Sequence, residues 1–199
     1  MNAYGTIGVL ALQGAFAAHA EHLTGLGADT RLVRRAEHLE GLTGLVLPGG
    51  ESTTMSNLLV SSGLDTSLRE AIRDGLPVFG TCAGMILLAR DILDGRPDQI
   101  SFDALDITVR RNGYGRQVDS FETDLDIDSL DVPFHAVFIR APVIETIGAD
   151  VEVLASHSGR PVLVRSGRVM AASFHPELTD DSRVHNMFLQ LISPAYNEG

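Results

Sequence analysis

The stretch that most constrains this chain is Pro77-Val78-Phe79-Gly80-Thr81-Cys82-Ala83-Gly84-Met85, which holds its single cysteine. Pro-Val-Phe is a short apolar run of strand type, and Ala83 to Ala89 (AGMILLA) continues as a run of good helix formers. Between them, Gly80-x-Cys82-x-Gly84 is a cysteine version of the G-x-S-x-G nucleophile elbow. A strand that turns directly into a helix brings the positions two before and two after the turn residue together, so both must be small. The turn residue is held in a strained backbone conformation that lifts its side chain off the sheet edge. Its sulfur then sits at a helix N-terminus, where the positive end of the dipole favours thiolate over thiol. A free cysteine is commonly a buried core residue, but the flanking glycines and the strand-to-helix switch mark Cys82 as a nucleophile.

The rest of the first half alternates strand and helix at short spacing. Thr6 to Leu12 (TIGVLAL) is almost continuously apolar, as a strand covered on both faces should be. Gln13-Gly14 opens a helical stretch that closes at Gly27, and strands are predicted at Ala28–Val33 and Leu42–Leu47. The latter runs into Pro48-Gly49-Gly50-Glu51-Ser52, with helices predicted at about 52–61 and 65–74 and then the Pro77–Phe79 strand. This predicts a doubly wound α/β fold, flavodoxin-like, with a mostly parallel or mixed central sheet and flanking helices. The second half reads as shorter alternating segments, Ala104–Val109, Val118–Ile127, Phe134–Ile139, Val151–Ala155, Pro161–Arg165 and Arg168–Phe174. Several of these are expected to be strands, some antiparallel, with a closing helix at about 181–192. The 199 residues fit one domain over 1–199, with no Pro/Ser/Gly linker and no internal repeat.

Composition narrows the function classes. A net charge of −11 argues against nucleic acid or an anionic membrane as partner, since both need a basic face. One cysteine excludes an intrachain disulfide and fits a reducing compartment. The N-terminus MNAYGTIGVLALQG lacks a basic n-region, and no apolar run approaches the roughly 18 residues that span a bilayer. A cytoplasmic protein is expected.

Three other stretches fail as sites. Asp124-x-Asp126-x-Asp128 resembles the start of a calcium loop, but Ser129 stands where glycine is required and His135 where the bidentate glutamate belongs. The segment reads better as a strand with a solvated acidic face. His19 and His22 share a helix face without a third ligand and are expected to be surface histidines. Gly49-Gly50-Glu51-Ser52-Thr53 lies between strand and helix like a phosphate loop, yet lacks Gly-Lys-Ser/Thr and carries an anion where phosphate would sit.

A nucleophilic cysteine needs a base and a group to orient that base. Among seven histidines, His175 lies directly after the buried run Val169–Phe174 and before Pro176-Glu177. Proline biases His175 toward an extended conformation, in which residues i and i+2 point to the same side. Glu177 can then take one imidazole nitrogen while the other faces Cys82, giving triad logic in the order Cys, His, Glu. Acyl transfer also needs N–H donors for the developing oxyanion. The N–H of Ala83, at the helix start, and that of Gly50, whose backbone can approach a substrate closely, are the candidates.

Taken together, Cys82 in G-x-C-x-G, His175-x-Glu177 and a strand ending in Pro-Gly-Gly resemble the class I (triad) glutamine amidotransferases. More narrowly, GVLALQG at 8–14, LPGGESTTM at 47–55, FGTCAGM at 79–85, RNGYGRQVDSFE at 111–122, FIRAP at 138–142 and SFHPELTDD at 173–181 are similar to the glutaminase subunits of the two-component pyridoxal 5′-phosphate synthases. LPGGEST is the discriminating segment. The resemblance implies hydrolysis of glutamine to glutamate and ammonia through a γ-glutamyl thioester on Cys82, with His175 as base and acid and Glu177 orienting it. It implies that Gly49, Gly50, Glu51, Arg111, Ile139 and Arg140 bind glutamine. A Glu and a bidentate Arg suit the α-ammonium and α-carboxylate of that substrate. It further implies a partner in a hetero-oligomer, a separate synthase subunit that takes the ammonia, with no metal and no cofactor on this chain. Pyridoxal phosphate is then a product of the complex. The alternatives are a glutaminase feeding another ammonia-using synthase, a stand-alone cysteine hydrolase of related fold, or a catalytically silent assembly protein.

Overall fold

Apolar runs in this chain become interior strands because helices cover the sheet they form on both faces. In the computed structural model, which describes residues 4–111 and 120–192, the first half comprises β1 (Thr6–Leu10), α1 (Phe16–Gly25), β2 (Asp29–Val33), β3 (Leu42–Leu47), α2 (Ser52–Ser62), α3 (Leu64–Arg73), β4 (Val78–Thr81) and α4 (Ala83–Leu88). The second half comprises β5 (Ala89–Ile92), β6 (Leu105–Arg110), β7 (Ser120–Leu125), β8 (Phe134–Ile139), β9 (Val143–Ile147), β10 (Glu152–His157), β11 (Arg160–Ser166), β12 (Val169–Ala172) and α5 (Arg183–Ile192).

The central sheet has the order β10-β11-β12-β4-β3-β1-β2. From β12 to β2 the pairings are parallel, and β11 and β10 add an antiparallel edge. The expected doubly wound α/β sheet is therefore present. Side chains that alternate along its strands feed two cores. Val46, Phe79 and Met170 pack with Leu23 of α1, Phe188 of α5 and Phe138 of β8. Their neighbours Leu45, Leu47, Val78 and Ala171 pack on the other side with Met55 of α2, Leu68 of α3, Met85 of α4 and Ile107 of β6. Two small sheets, β5-β6-β9 and the β7-β8 hairpin, are carried on these cores. Among the described residues no helix is long and apolar enough to cross a membrane.

Tertiary structure overrides local propensity at several places. The helix after Cys82 stops at Leu88, and Ala89 already belongs to β5. The reason lies in its last turn, where the carbonyls of Leu87 and Leu88 accept from the N–H groups of Phe102 and Ala104 and lead the chain into pairing with β6. Neither β5 nor β9 is legible as a strand, because each is short and half of it is solvated. β1 ends at Leu10, two residues early, and α1 begins only at Phe16. Of the predicted 118–127 strand, Ser120–Leu125 forms β7, while 118 and 119 lie outside the described residues, as does most of RNGYGRQVDSFE. The acidic face of β7 is solvated as expected, with Glu122 and Asp124 exposed and both bonded to His135.

Candidate active site

Strand register gathers the predicted residues at one edge of the sheet. Leu47 of β3 is paired with Gly80 of β4, and Thr81 of β4 with Ala172 of β12. The three strands therefore end level, and they lead respectively into Pro48-Gly49-Gly50, Cys82 and Ser173-Phe174-His175. This is the carboxyl edge of a parallel sheet, where open α/β folds bind ligands. A cleft of about 320 Å³ opens here, lined by Gln13, Gly50, Glu51, Ser52, Cys82, Ile86, Arg111, Ile139, Arg140 and His175. A larger hollow of about 590 Å³ lies beside Leu42, Leu76 and Arg168, but neither cysteine nor histidine lines it. Chemistry rather than size picks the site.

The elbow is built as the glycines require. Cys82 has φ 49° and ψ −103°, a strained conformation for a residue with a side chain. Its N–H is anchored on the Ala172 carbonyl at 2.8 Å. A Cβ on Gly80 would lie 2.6 Å from the Gly84 carbonyl carbon, and one on Gly84 would lie 2.0 Å from the Leu47 oxygen. Both positions therefore admit only glycine while strand and helix keep this approach. The thiol is nearly buried, with its Sγ 3.9 Å from the Ile139 carbonyl oxygen. Ala83 is the first residue of α4, where main-chain N–H groups have no partner within the helix.

His175 and Glu177 meet differently from the extended arrangement expected. His175 has φ −110° and ψ 85°, short of the extended region, and Pro176–Leu178 forms a 3₁₀ turn. Proline's fixed φ suits the first position of such a turn, and the turn carries Glu177 back beneath the imidazole. Nδ1 of His175 bonds Glu177 Oε1 at 2.8 Å, which leaves Nε2 for Cys82. Gly49 closes against this pair, since a Cβ there would stand 2.5 Å from the imidazole Cε1 and 3.4 Å from Cys82 Cβ. Burial opposes charge on His175, but its hydrogen bonds with Cys82 and Glu177 outweigh that and raise its pKa from 6.5 to about 10. At neutral pH the ring is thus a cation held between sulfur and carboxylate.

Across the cleft, Glu51 caps α2. Its carboxylate accepts from the N–H groups of Thr53 and Thr54 at 3.0 and 2.7 Å and from the Thr54 hydroxyl at 2.7 Å. It also pairs with Nη2 of Arg111 at 2.9 Å. Burial is the largest single influence and resists the charge, but the bonds from Thr54 and Thr53 together outweigh it and lower the pKa to about 2. The side chain itself therefore supplies the anion that a phosphate loop would bind, which explains the strand–Gly-Gly–helix shape without a nucleotide. Arg111 spends one nitrogen on Glu51, while its buried Nε has no partner among the described residues. Arg140, which also lines the cleft, has φ 42°, a second strained non-glycine residue of the site.

Of the predicted site residues, Gly50, Glu51, Cys82, Arg111, Ile139, Arg140 and His175 line this cleft, while Gly49 and Glu177 back onto His175 and Ala83 follows Cys82 without lining it. Sequence reasoning passed over Gln13, whose buried Oε1 has no partner among the described residues and whose side chain comes up against Gly50. It also misplaced His19. That residue is fully buried and contacts Glu177, His185 and Thr81, and only His22 is half solvated. Leu23, four residues on and equally buried, was the available signal that this helix face points inward.

The profile of the SNO glutamine amidotransferase family matches residues 9–193. The chain is 58% identical over 187 residues to the pyridoxal 5′-phosphate synthase subunit PdxT of Corynebacterium jeikeium, covering 94% of this chain and 96% of that protein. It is 58% identical over 186 residues to the subunit of the same name from Mycobacteroides abscessus, with the same coverage. A crystal structure of a glutamine amidotransferase superposes with a TM-score of 0.88 at 52% identity, over 94% of this chain and 98% of that one. A Thermoplasma acidophilum protein assigned as a GMP synthase subunit shares the fold, with a TM-score of 0.69 at 21% identity over 97% and 96% of the two chains.

Proposed function

Since the chain belongs to the SNO glutamine amidotransferase family, we propose that it is the glutaminase subunit of a pyridoxal 5′-phosphate synthase, working in the cytoplasm as one domain over 1–199. The observation that carries the reading is the Cys82–His175–Glu177 arrangement facing the Glu51–Arg111 pair across one cleft. The Cys82 sulfur attacks the carboxamide carbon of glutamine, and the oxygen takes up negative charge opposite the Ala83 and Gly50 N–H groups. As the tetrahedral intermediate collapses, the His175 proton goes to the departing nitrogen, ammonia leaves and a γ-glutamyl thioester remains. The now neutral His175 takes a proton from water, whose oxygen attacks the thioester; glutamate departs and the thiolate–imidazolium pair returns. Glu177 keeps the proton on Nδ1 throughout, so that Nε2 does the transfers.

The substrate's charged end finds its partners opposite. Arg111 offers its remaining N–H groups to the α-carboxylate and Glu51 its carboxylate to the α-ammonium, with Arg140, Ile139, Gly49 and Gly50 shaping the walls. The ammonia passes to the synthase subunit, the partner in a hetero-oligomer. The test is release of ammonia and glutamate from glutamine by the chain alone, with its cognate synthase subunit, and with Cys82→Ala in either setting. Turnover stimulated by the synthase and abolished in the variant is the expected result. Turnover that appears only beside a different ammonia-using synthase overturns the vitamin B6 assignment.

A further inference from the structure

Behind the triad lies a second set of histidines that the reaction above does not use. His19 of α1 and His185 of α5 are both fully buried, and Nδ1 of His19 lies 2.9 Å from Nε2 of His185. The other nitrogen of His19, Nε2, is 3.2 Å from Thr81 Oγ1 and 3.4 Å from Glu177 Oε2. That carboxylate oxygen is the one Glu177 does not give to His175, and it is buried without a hydrogen-bond partner among the described residues.

The protons can be assigned from these contacts. An ionised carboxylate only accepts, and a lone pair on His19 Nε2 facing it across a dry interior would be repelled. Nε2 therefore carries the proton: it lies within hydrogen-bond distance of Thr81 Oγ1, and Glu177 Oε2, at 3.4 Å, is the charged acceptor it faces. Burial first, and then the neighbouring histidines, hold the pKa of His19 well below 6.5, and burial brings His185 down to about 3. Both rings are neutral and own one proton each. Nδ1 of His19 must then accept from His185 Nε2–H, which leaves the lone pair on His185 Nδ1, the atom with no partner among the described residues. The chain of contacts is thus directional, from His185 through His19 to Glu177.

We propose that His19 is a positioning residue of the glutaminase reaction: its Nε2–H holds the second oxygen of Glu177 and so fixes the carboxylate that orients His175. A carboxylate tethered through one oxygen can rotate about its last bond, and the imidazole would follow it. Held from both sides, it keeps His175 Nε2 in line with Cys82 and the departing nitrogen. The inference rests on the triad reading above.

The test compares His19→Leu, which fills the space without a donor, with His19→Gln, whose amide nitrogen takes the place of Nε2. With glutamine as substrate and the cognate synthase subunit bound, His19→Leu should lower kcat by about tenfold or more with KM nearly unchanged, and His19→Gln should recover most of the loss. Unchanged kcat in His19→Leu, or an equal loss in both folded variants, overturns the proposal and leaves the triad standing. Turnover that survives Cys82→Ala instead overturns the triad reading itself. Nitrogen-15 NMR of the unaltered chain reads the same point without relying on a variant to fold. A neutral His19 protonated on Nε2 is expected, and a proton on Nδ1 overturns the assignment.

Discussion

Cys82 and Arg140 both carry positive φ angles, and Arg140 directly follows Ile139, whose carbonyl oxygen lies 3.9 Å from the Cys82 sulfur. Strain of this kind persists only where surrounding structure enforces it. Here the Ala172 carbonyl, the Gly80–Gly84 contact and the β8 terminus do so for the nucleophile. The partner side chains are equally constrained, since Glu177 is buried and its ion-pair partners among the described residues are histidines. Glu177→Gln keeps the volume but presents an amide in place of the acceptor, so glutamine turnover should fall by roughly 10²- to 10⁴-fold with little loss of substrate affinity, measured as kcat and KM in the complex. His175 gives a pH signature. Its folded pKa of about 10 lies above the ordinary 6.5, so the folded state binds its proton more tightly than the unfolded chain does. The resulting stabilisation is present at pH 6.5 and is lost as pH rises through 10. The difference in melting temperature between the unaltered chain and His175→Ala should therefore shrink between about pH 7 and pH 10.

At the scale of elements, the strand–turn–helix of β4 and α4 is the unit on which the site depends. Its close packing leaves no room at Gly84, where a methyl group would meet the Leu47 carbonyl of the adjacent strand rather than a side chain that could move aside. Gly84→Ala should cost about 2–4 kcal/mol, read as a lower midpoint in urea unfolding, because β3 and α4 must separate to admit it. This element was legible in the sequence, since glycine spacing reports a steric demand that is local along the chain. The return of Glu177 was less legible. His-Pro-Glu suits an extended segment and a 3₁₀ turn equally well, and the Val137 carbonyl that takes the His175 N–H belongs to another strand. β5 was illegible for the same kind of reason, because Ala89-Arg90-Asp91-Ile92 becomes a strand by pairing with β6, a segment further along the chain.

Over the whole molecule, the cleft joins parts of the chain that are far apart in sequence. Arg111 follows β6 of a small sheet, Glu51 caps α2, and the triad stands on the central sheet. Arg111→Ala should raise KM for glutamine about 10- to 100-fold, the worth of a charge-assisted contact, while kcat changes little; an unchanged KM would remove Arg111 from the substrate site. Read on its own, the sequence determined the alternation that makes a parallel α/β sheet, the elbow that exposes one cysteine, and the histidine and acid at the end of a later strand. Each of these is written in local spacing, periodicity and residue size. Only the tertiary structure decided the level ending of β3, β4 and β12, the pairing of Arg111 with Glu51, and the burial of His19 against Glu177. Those depend on register and on the packing of α1 and α5 against the sheet, and no spacing along one segment encodes which distant residue it will meet.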